Sequence, residues 1–359
     1  MLSGLLPEIA ADLHVSLSAA GLLTSAYALG MIVGAPLMAA WSGRWPRRRA
    51  LVTFLATFVL VHVIGALTSS YVVLLSTRVV GALANAGFWA TALAAATTLV
   101  APNAKARATS IVVGGVTVAC VAGVPAGALL GQYGGWRAAF WAVALVSVPA
   151  VFAIVRAIPA DHAPNNRGSL GKELRSLANS RLVVALTLGA LVNGATFCSF
   201  TYLAPILTNV TGFAVGWVPV MLALFGLGSF AGVSIGGRIA DVRPHALLAV
   251  GGYGLLVGWA VLALTAENPL VTAVLVFGLG AFAFGTGSTL VSRVLYLATE
   301  APTLGGGFAT AALNVGAAVG PWLGGLALAT GLGFGSPLWI SALLMALAVV
   351  LSAIVRARV

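Results

Sequence analysis

Residues 109–132, TSIVVGGVTVACVAGVPAGALLGQ, run without a charge. At about 1.5 Å per residue, a helix of that length crosses the roughly 30 Å hydrocarbon layer of a bilayer. Within the run, Gly123, Gly127 and Gly131 recur every fourth residue, and Gly114 stands nine positions ahead of Gly123. A spacing of four puts small residues on one helical face, where a neighbouring backbone can approach closely. Pro125 removes a backbone donor, which predicts a local bend or opening. The pattern then returns. In residues 307–325, GFATAALNVGAAVGPWLGG, Gly307, Gly316 and Gly320 stand 193 positions after Gly114, Gly123 and Gly127, with Pro321 beside the last. Two matched Gly/Pro stretches at that separation imply an internal repeat, with these glycines and prolines as hinge and gating positions.

Composition narrows the class further. The chain is 60% hydrophobic and 7% charged, with mean hydropathy +1.08. So few charges in 359 residues define a polytopic membrane protein. A net charge of +11 would suggest nucleic acid only on a soluble basic face, and the basic residues form none. Cys120 and Cys198 lie in apolar runs without disulfide or metal spacing. Gly278-x-Gly280 and Gly285-x-Gly287 sit in an apolar run without a strand or a GK[ST] motif, so they read as helix packing and no nucleotide cofactor is implied.

Apolar runs fall at 18–40, 50–69, 71–99, 109–132, 137–158, 182–208, 214–237, 246–266, 269–292, 303–330 and 335–355. That makes eleven spans, preceded by the six-residue apolar stub Met1–Leu6, which is too short to cross a bilayer and reads as the tail of a first span. Sixteen of the 18 basic residues fall in alternate connections or at the end of the tenth span, which predicts that side to be cytoplasmic. Residues 159–181 are the longest polar segment. They divide the chain into an N-terminal helical bundle (1–158) and a C-terminal one (182–359), and read as a solvated linker, with a short amphipathic surface helix as the alternative.

Two basic loops match across the halves. AAWSGRWPRRRA contains Arg44, Arg47, Arg48 and Arg49; GGRIADVRPHA, about 198 positions later, contains Asp241 and Arg243. Both resemble the cytoplasmic loop signature of the major facilitator superfamily. Gly43 stands where the first loop's acid is expected, whereas Gly237 and Asp241 keep the Gly–Asp spacing of the second. The Gly/Pro stretches resemble the fifth-helix signature of that superfamily's 12-span drug:proton antiporters. Segments such as AAGLLTSAYALGMIVGAPLMA, RVVGALANAGFWA, GALVNGATFCSFTYLAP and PTLGGGFATAALNVGAA resemble bacterial chloramphenicol resistance exporters over nearly the whole chain. The resemblance implies an all-α fold of two pseudo-symmetric six-helix bundles rocking about a central cavity. It further implies a first helix that begins upstream of Met1 and carries the family's membrane-embedded acid.

Arg78 lies eight residues into the fourth span, where a charge costs about 2.5–3.5 kcal/mol at mid-bilayer. The family's fourth-helix pattern places an arginine here and associates it with coupling. Asn85, seven residues on, shares its face. Asn193, Phe197 and Phe200 form a comparable face in span seven, and Thr310 with Asn314 in span eleven. Tyr27, Phe277 and Phe284 are placed to line the same space. His62 reads as a hydrogen-bonded packing residue. The partners implied are a small amphipathic drug, chloramphenicol first, together with protons and the lipid bilayer, acting on a monomer in the bacterial inner membrane. Export of sugars or nucleosides by a member of the same superfamily is the alternative. An intramembrane enzyme is remote, because the seven acids lie mostly at membrane surfaces and no nucleophile–base pair is present. The charge asymmetry predicts that a reporter fused after Val359 is active only in its cytoplasmic form; strong activity of a periplasmic reporter at that position would reverse the topology.

Overall fold

The computed structural model describes residues 6–43, 45–119, 123–160, 170–301 and 304–357. These form fourteen α-helices and, among the described residues, no strand. They are α1 (Leu6–Asp12), α2 (Leu17–Ser42), α3 (Arg47–Leu67), α4 (Tyr71–Thr98), α5 (Lys105–Val118), α6 (Val124–Ala157) and α7 (Leu170–Arg175). There follow α8 (Ser180–Thr201), α9 (Leu203–Asn209), α10 (Val218–Ala240), α11 (Pro244–Thr265), α12 (Pro269–Leu297), α13 (Gly305–Ala329) and α14 (Ser336–Ala357). Among the described residues, ten helices are long and apolar enough to cross a membrane.

Two expected boundaries shift, each for a visible reason. The run 109–132 falls in α5 up to Val118 and in α6 from Val124, and Cys120 lies outside the described residues. The next span starts where Gly135 leaves the helix at φ 72°, a region that glycine enters without a Cβ penalty. The run 182–208 divides after Thr201. Pro205 has no N–H to give to the Thr201 carbonyl, and its ring clashes with that group, so α8 ends there and α9 follows at once.

The helices gather into two compact units, one of residues 1–95, 123–176 and 298–311, the other of residues 96–122, 177–297 and 312–359. Each unit therefore takes a segment from the other half of the chain.

In the first unit, Ile9, Leu23, Leu74, Trp136 and Phe140 form a core that joins α1 and α2 to α4 and α6. Two acids of α1 fix the bend at Gly135. Glu8 Oε1 accepts from the Trp136 N–H (3.1 Å), and Asp12 accepts from Trp136 Nε1 (3.2 Å) and pairs with Arg137 (2.5 Å). The Arg137 guanidinium holds the Asp12 carboxyl below the ordinary carboxylate range. The Asp12–Arg137 pair is more than a third exposed on both sides, so its contribution is positional more than energetic.

In the second unit, glycines set the helix spacing. A Cβ added at Gly228 or Gly232 of α10 would collide with the Phe277 or Ala281 carbonyl of α12, and one at Gly280 would collide with the Phe225 carbonyl of α10. The interlock is backbone against backbone, where no side chain can move aside. Gly278 and Gly287 meet nothing within 4 Å, so only half of those two Gly-x-Gly pairs serve packing. Substituting Gly232→Ile is expected to cost at least about 3 kcal/mol, seen as a lower unfolding midpoint of detergent-purified protein, whereas Gly287→Ala leaves it unchanged. Equal midpoints for the two variants would remove the backbone contact from the stability of the unit.

Candidate functional site

Of the ten helices able to cross a membrane, none contains Asp or Glu. A charge is buried within a span of the first unit: Arg78, in the second turn of α4 and 2% exposed. Its guanidinium carbon lies 4.4 Å from the centroid of the Phe140 ring. Its Nε and Nη2 have no hydrogen-bond partner among the described residues. A charge held this way, by a ring face and two uncommitted donors, is costly to keep dry and available to an acceptor that enters. His62 reaches the same ring from α3, 5.7 Å between centroids. Its Nδ1 is 2.7 Å from the Phe58 carbonyl, a hydrogen bond within its own helix of the kind expected of a packing histidine.

Two turns beyond Arg78, Asn85 donates to the Tyr27 hydroxyl (2.9 Å) and contacts Met31 Sδ (3.5 Å). The spacing of Arg78 and Asn85 on one face of α4 thus meets a polar residue of α2. Thr310, also in this unit, is buried and donates to the Gly306 carbonyl of its own helix.

The second unit carries an aromatic crevice. Phe197 and Phe200 meet edge to face at 6.2 Å, Phe200 lies 4.7 Å from Phe225, and Phe225 meets Phe284 at 6.3 Å. Thr196, Leu222, Gly226 and Ser229 complete the lining. Phe277 is not brought into this crevice and is 41% exposed, because one helical face need not be covered by the same neighbour along its length. Asn193 commits its amide N–H to the Leu313 carbonyl of α13 (2.7 Å). Asn314, one residue on, is half-buried in the same unit.

Beside Asn193 the expected hinge glycines of α13 press on α8. A Cβ at Gly316 would strike the Ala190 carbonyl, and one at Gly320 the Gly194 carbonyl; the Tyr202 hydroxyl donates to the Pro321 carbonyl (2.9 Å). Gly307 is equally tight in the first unit, its added Cβ 2.8 Å from the Ala35 carbonyl of α2. The first repeat differs. A Cβ at Gly114 would make ordinary contact with Val233 at 3.7 Å, and one at Gly123 meets nothing within 4 Å. Pro125 falls at the start of α6 with Gly127 just inside it; their side-chain surroundings lie outside the described residues.

The two basic loops use their charges to complete helix ends. In the second, Gly237 lets α5 cross at Ser110, and one turn later the Asp241 carboxylate accepts from the N–H groups of Ala106 (2.8 Å) and Arg107 (3.1 Å) at the start of α5. That is an N-terminal cap supplied by another helix, with the acid at the positive end of the dipole. Arg243 follows as the residue before α11 and is exposed. In the first loop Arg47 donates to the Ala94 carbonyl near the end of α4 (3.0 Å), Arg49 stacks over Trp45 at 5.2 Å, and Arg48 is half-buried. Arg44 lies outside the described residues.

That loop has Gly43 in place of an acid. Glu173 of α7, 1% exposed, accepts from the Leu304 N–H (2.9 Å) just ahead of α13. The segment 170–178 thus holds the short helix α7, the alternative read for this stretch, largely exposed apart from Glu173 and Ser176, and Glu173 is a residue that the spacing patterns did not mark. The signal was there in an acid flanked by apolar Leu170, Leu174 and Leu177.

The fold and these loops define a multi-span helical transporter, and the chain belongs to the major facilitator superfamily: that family's model matches residues 1–305. The chain is 52% identical to the Chloramphenicol resistance protein of Streptomyces lividans over 98% of its own length and 91% of the relative's. It is 35% identical to the Inner membrane transport protein YdhP of Escherichia coli K12, covering 92% and 85% of the two chains. Among solved structures it resembles the transporter FucP in the outward conformation, with a TM-score of 0.79, 17% identity, and 98% and 93% of the chains covered. That last likeness is one of fold alone.

Glu173→Ala would leave the buried Leu304 N–H without this acceptor, and Asp241→Ala would uncap α5. Each is expected to destabilise the protein by about 1–3 kcal/mol, read as a lower unfolding midpoint in detergent. An unchanged midpoint for Glu173→Ala would show that the carboxylate does not hold α13.

Proposed function

We propose that the protein exports chloramphenicol by proton antiport, through alternating access of two six-helix halves, residues 1–158 and 182–359, joined by residues 159–181. The observation that carries this reading is the 52% identity to a chloramphenicol resistance protein over almost the full length of both chains. The geometry within each unit supports it. Chloramphenicol is a neutral amphipath with a nitrophenyl ring, two hydroxyls and an amide. Phe197, Phe200, Phe225 and Phe284 offer ring faces and edges to its aromatic end. The Tyr27–Asn85 pair and the uncommitted Arg78 donors suit its hydroxyl, amide and nitro oxygens.

A neutral drug is not driven by the membrane potential, so its accumulation requires an exchanged cation. One proton entering yields about 2.3 kcal/mol per 100 mV. At about 1.36 kcal/mol per decade that holds a gradient of roughly 50-fold. Arg78 is the fixed charge for this exchange. A guanidinium lowers the proton affinity of any carboxylate brought beside it and releases that influence when the drug engages its donors. The close Gly316 and Gly320 contacts let that part of α13 move with α8 as one body. In this reading the chain acts as a monomer in the bacterial inner membrane, with its C-terminus in the cytoplasm.

Cells expressing the protein are expected to gain resistance to chloramphenicol above other antibiotics in a panel of about a dozen, and a protonophore should abolish drug export from loaded cells. Arg78→Ala should lose uphill export at least about 10-fold while still inserting in the membrane. Export that persists with the proton gradient collapsed would refute antiport, and undiminished export by Arg78→Ala would remove that residue from it.

A further inference from the structure

A cavity of about 850 Å³ opens in the second unit among α8, α11, α12 and α14, with no lining residue in common with the aromatic crevice. Its rim carries Arg181 in the first turn of α8, His245 in the first turn of α11 and Arg293 near the end of α12. None of the three makes an ion pair among the described residues. Below the rim the wall is apolar along α8, from Val184 through Leu188 to Val192. The eleven rises from Arg181 to Val192 span about 16 Å at 1.5 Å each, close to half of the roughly 30 Å hydrocarbon layer. The cavity is thus one leaflet deep. Thr286 also lines it, 3% exposed, and its Oγ1 has no hydrogen-bond partner among the described residues.

From this arrangement we propose that the cavity is a binding site for an anionic phospholipid of the leaflet at that end. The headgroup phosphate lies between the Arg181 and Arg293 guanidinium groups, with His245 beside it, and one acyl chain runs along the α8 wall. Charge complementarity selects this occupant. Two uncompensated arginines over an apolar wall favour a ligand that is anionic at one end and hydrocarbon at the other. A neutral drug would leave both guanidinium groups unmatched, and a free anion would leave the apolar wall wet. The basic rim belongs to the side that the distribution of lysine and arginine marks as cytoplasmic, where anionic lipid concentrates.

The test is native mass spectrometry of the purified full chain in neutral detergent, titrated with phosphatidylglycerol or phosphatidylcholine of identical acyl chains. Phosphatidylglycerol is expected to bind at least about 10-fold more tightly. Arg181→Gln with Arg293→Gln should erase that preference. Arg181→Gln alone, at an exposed position, should reduce it, which keeps the test open if the double variant fails to fold. Ala353→Trp, at an exposed point of the lining, should weaken both lipids. Equal binding of the two lipids, or a preference that survives in the double variant, would overturn the proposal. So would displacement by inorganic phosphate, which would mark a headgroup-only site, or by chloramphenicol, which would mark a drug subsite.

Discussion

Everything in the second unit depends on one steric fact: where α10 meets α12 and where α8 meets α13, backbone touches backbone. In a bilayer, lipid tails are as apolar as leucine, so the hydrophobic effect gives helices little reason to prefer each other. Close van der Waals packing has to supply that preference, and it grows as the helix axes approach. Gly228, Gly232 and Gly280 make the first approach, Gly194, Gly316 and Gly320 the second. A single methyl group at most of these positions would meet a carbonyl oxygen, which cannot rotate out of the way. The same packing gives the unit rigid walls, against which a phenylalanine crevice and a basic cavity keep their shape.

A second economy governs charge. A chain with seven acids uses four of them at helix ends, outside all ten helices able to cross a membrane. Glu8 and Asp12 hold the start of the sixth span, Asp241 caps α5, and Glu173 accepts from the residue ahead of α13. Glu8, Asp241 and Glu173 meet backbone N–H groups at helix starts, near the positive end of a dipole, and Asp12 meets the Trp136 indole and the Arg137 guanidinium. Arg78 is the contrast. It sits inside a span, covered by Phe140 and with two donors unengaged. A residue that is costly to bury and not compensated by structure is where chemistry is to be sought.

Much of this was legible in the residues themselves. Hydrocarbon thickness and helix rise are fixed quantities, so long apolar runs such as those now in α3 and α12 were readable as helices able to cross a membrane. Arg78 with Asn85, and Phe197 with Phe200, were readable as shared faces because 3.6 residues per turn is a property of the helix alone. Even the Gly237–Asp241 spacing carried its meaning, a close crossing followed one turn later by a cap.

What the tertiary structure alone decided is which neighbour stands opposite each of those faces. No periodicity announces that Tyr27 meets Asn85, that Asn193 gives its amide to the Leu313 carbonyl, or that Phe284 joins the crevice while Phe277 does not. Nor could it say that Glu173 is buried and accepts from the Leu304 N–H, 131 positions away in sequence and just ahead of α13. The reason is physical. Sequence spacing fixes directions within one helix, whereas a partner across an interface depends on axial distance and rotation between helices. Those are set only when the glycine contacts close.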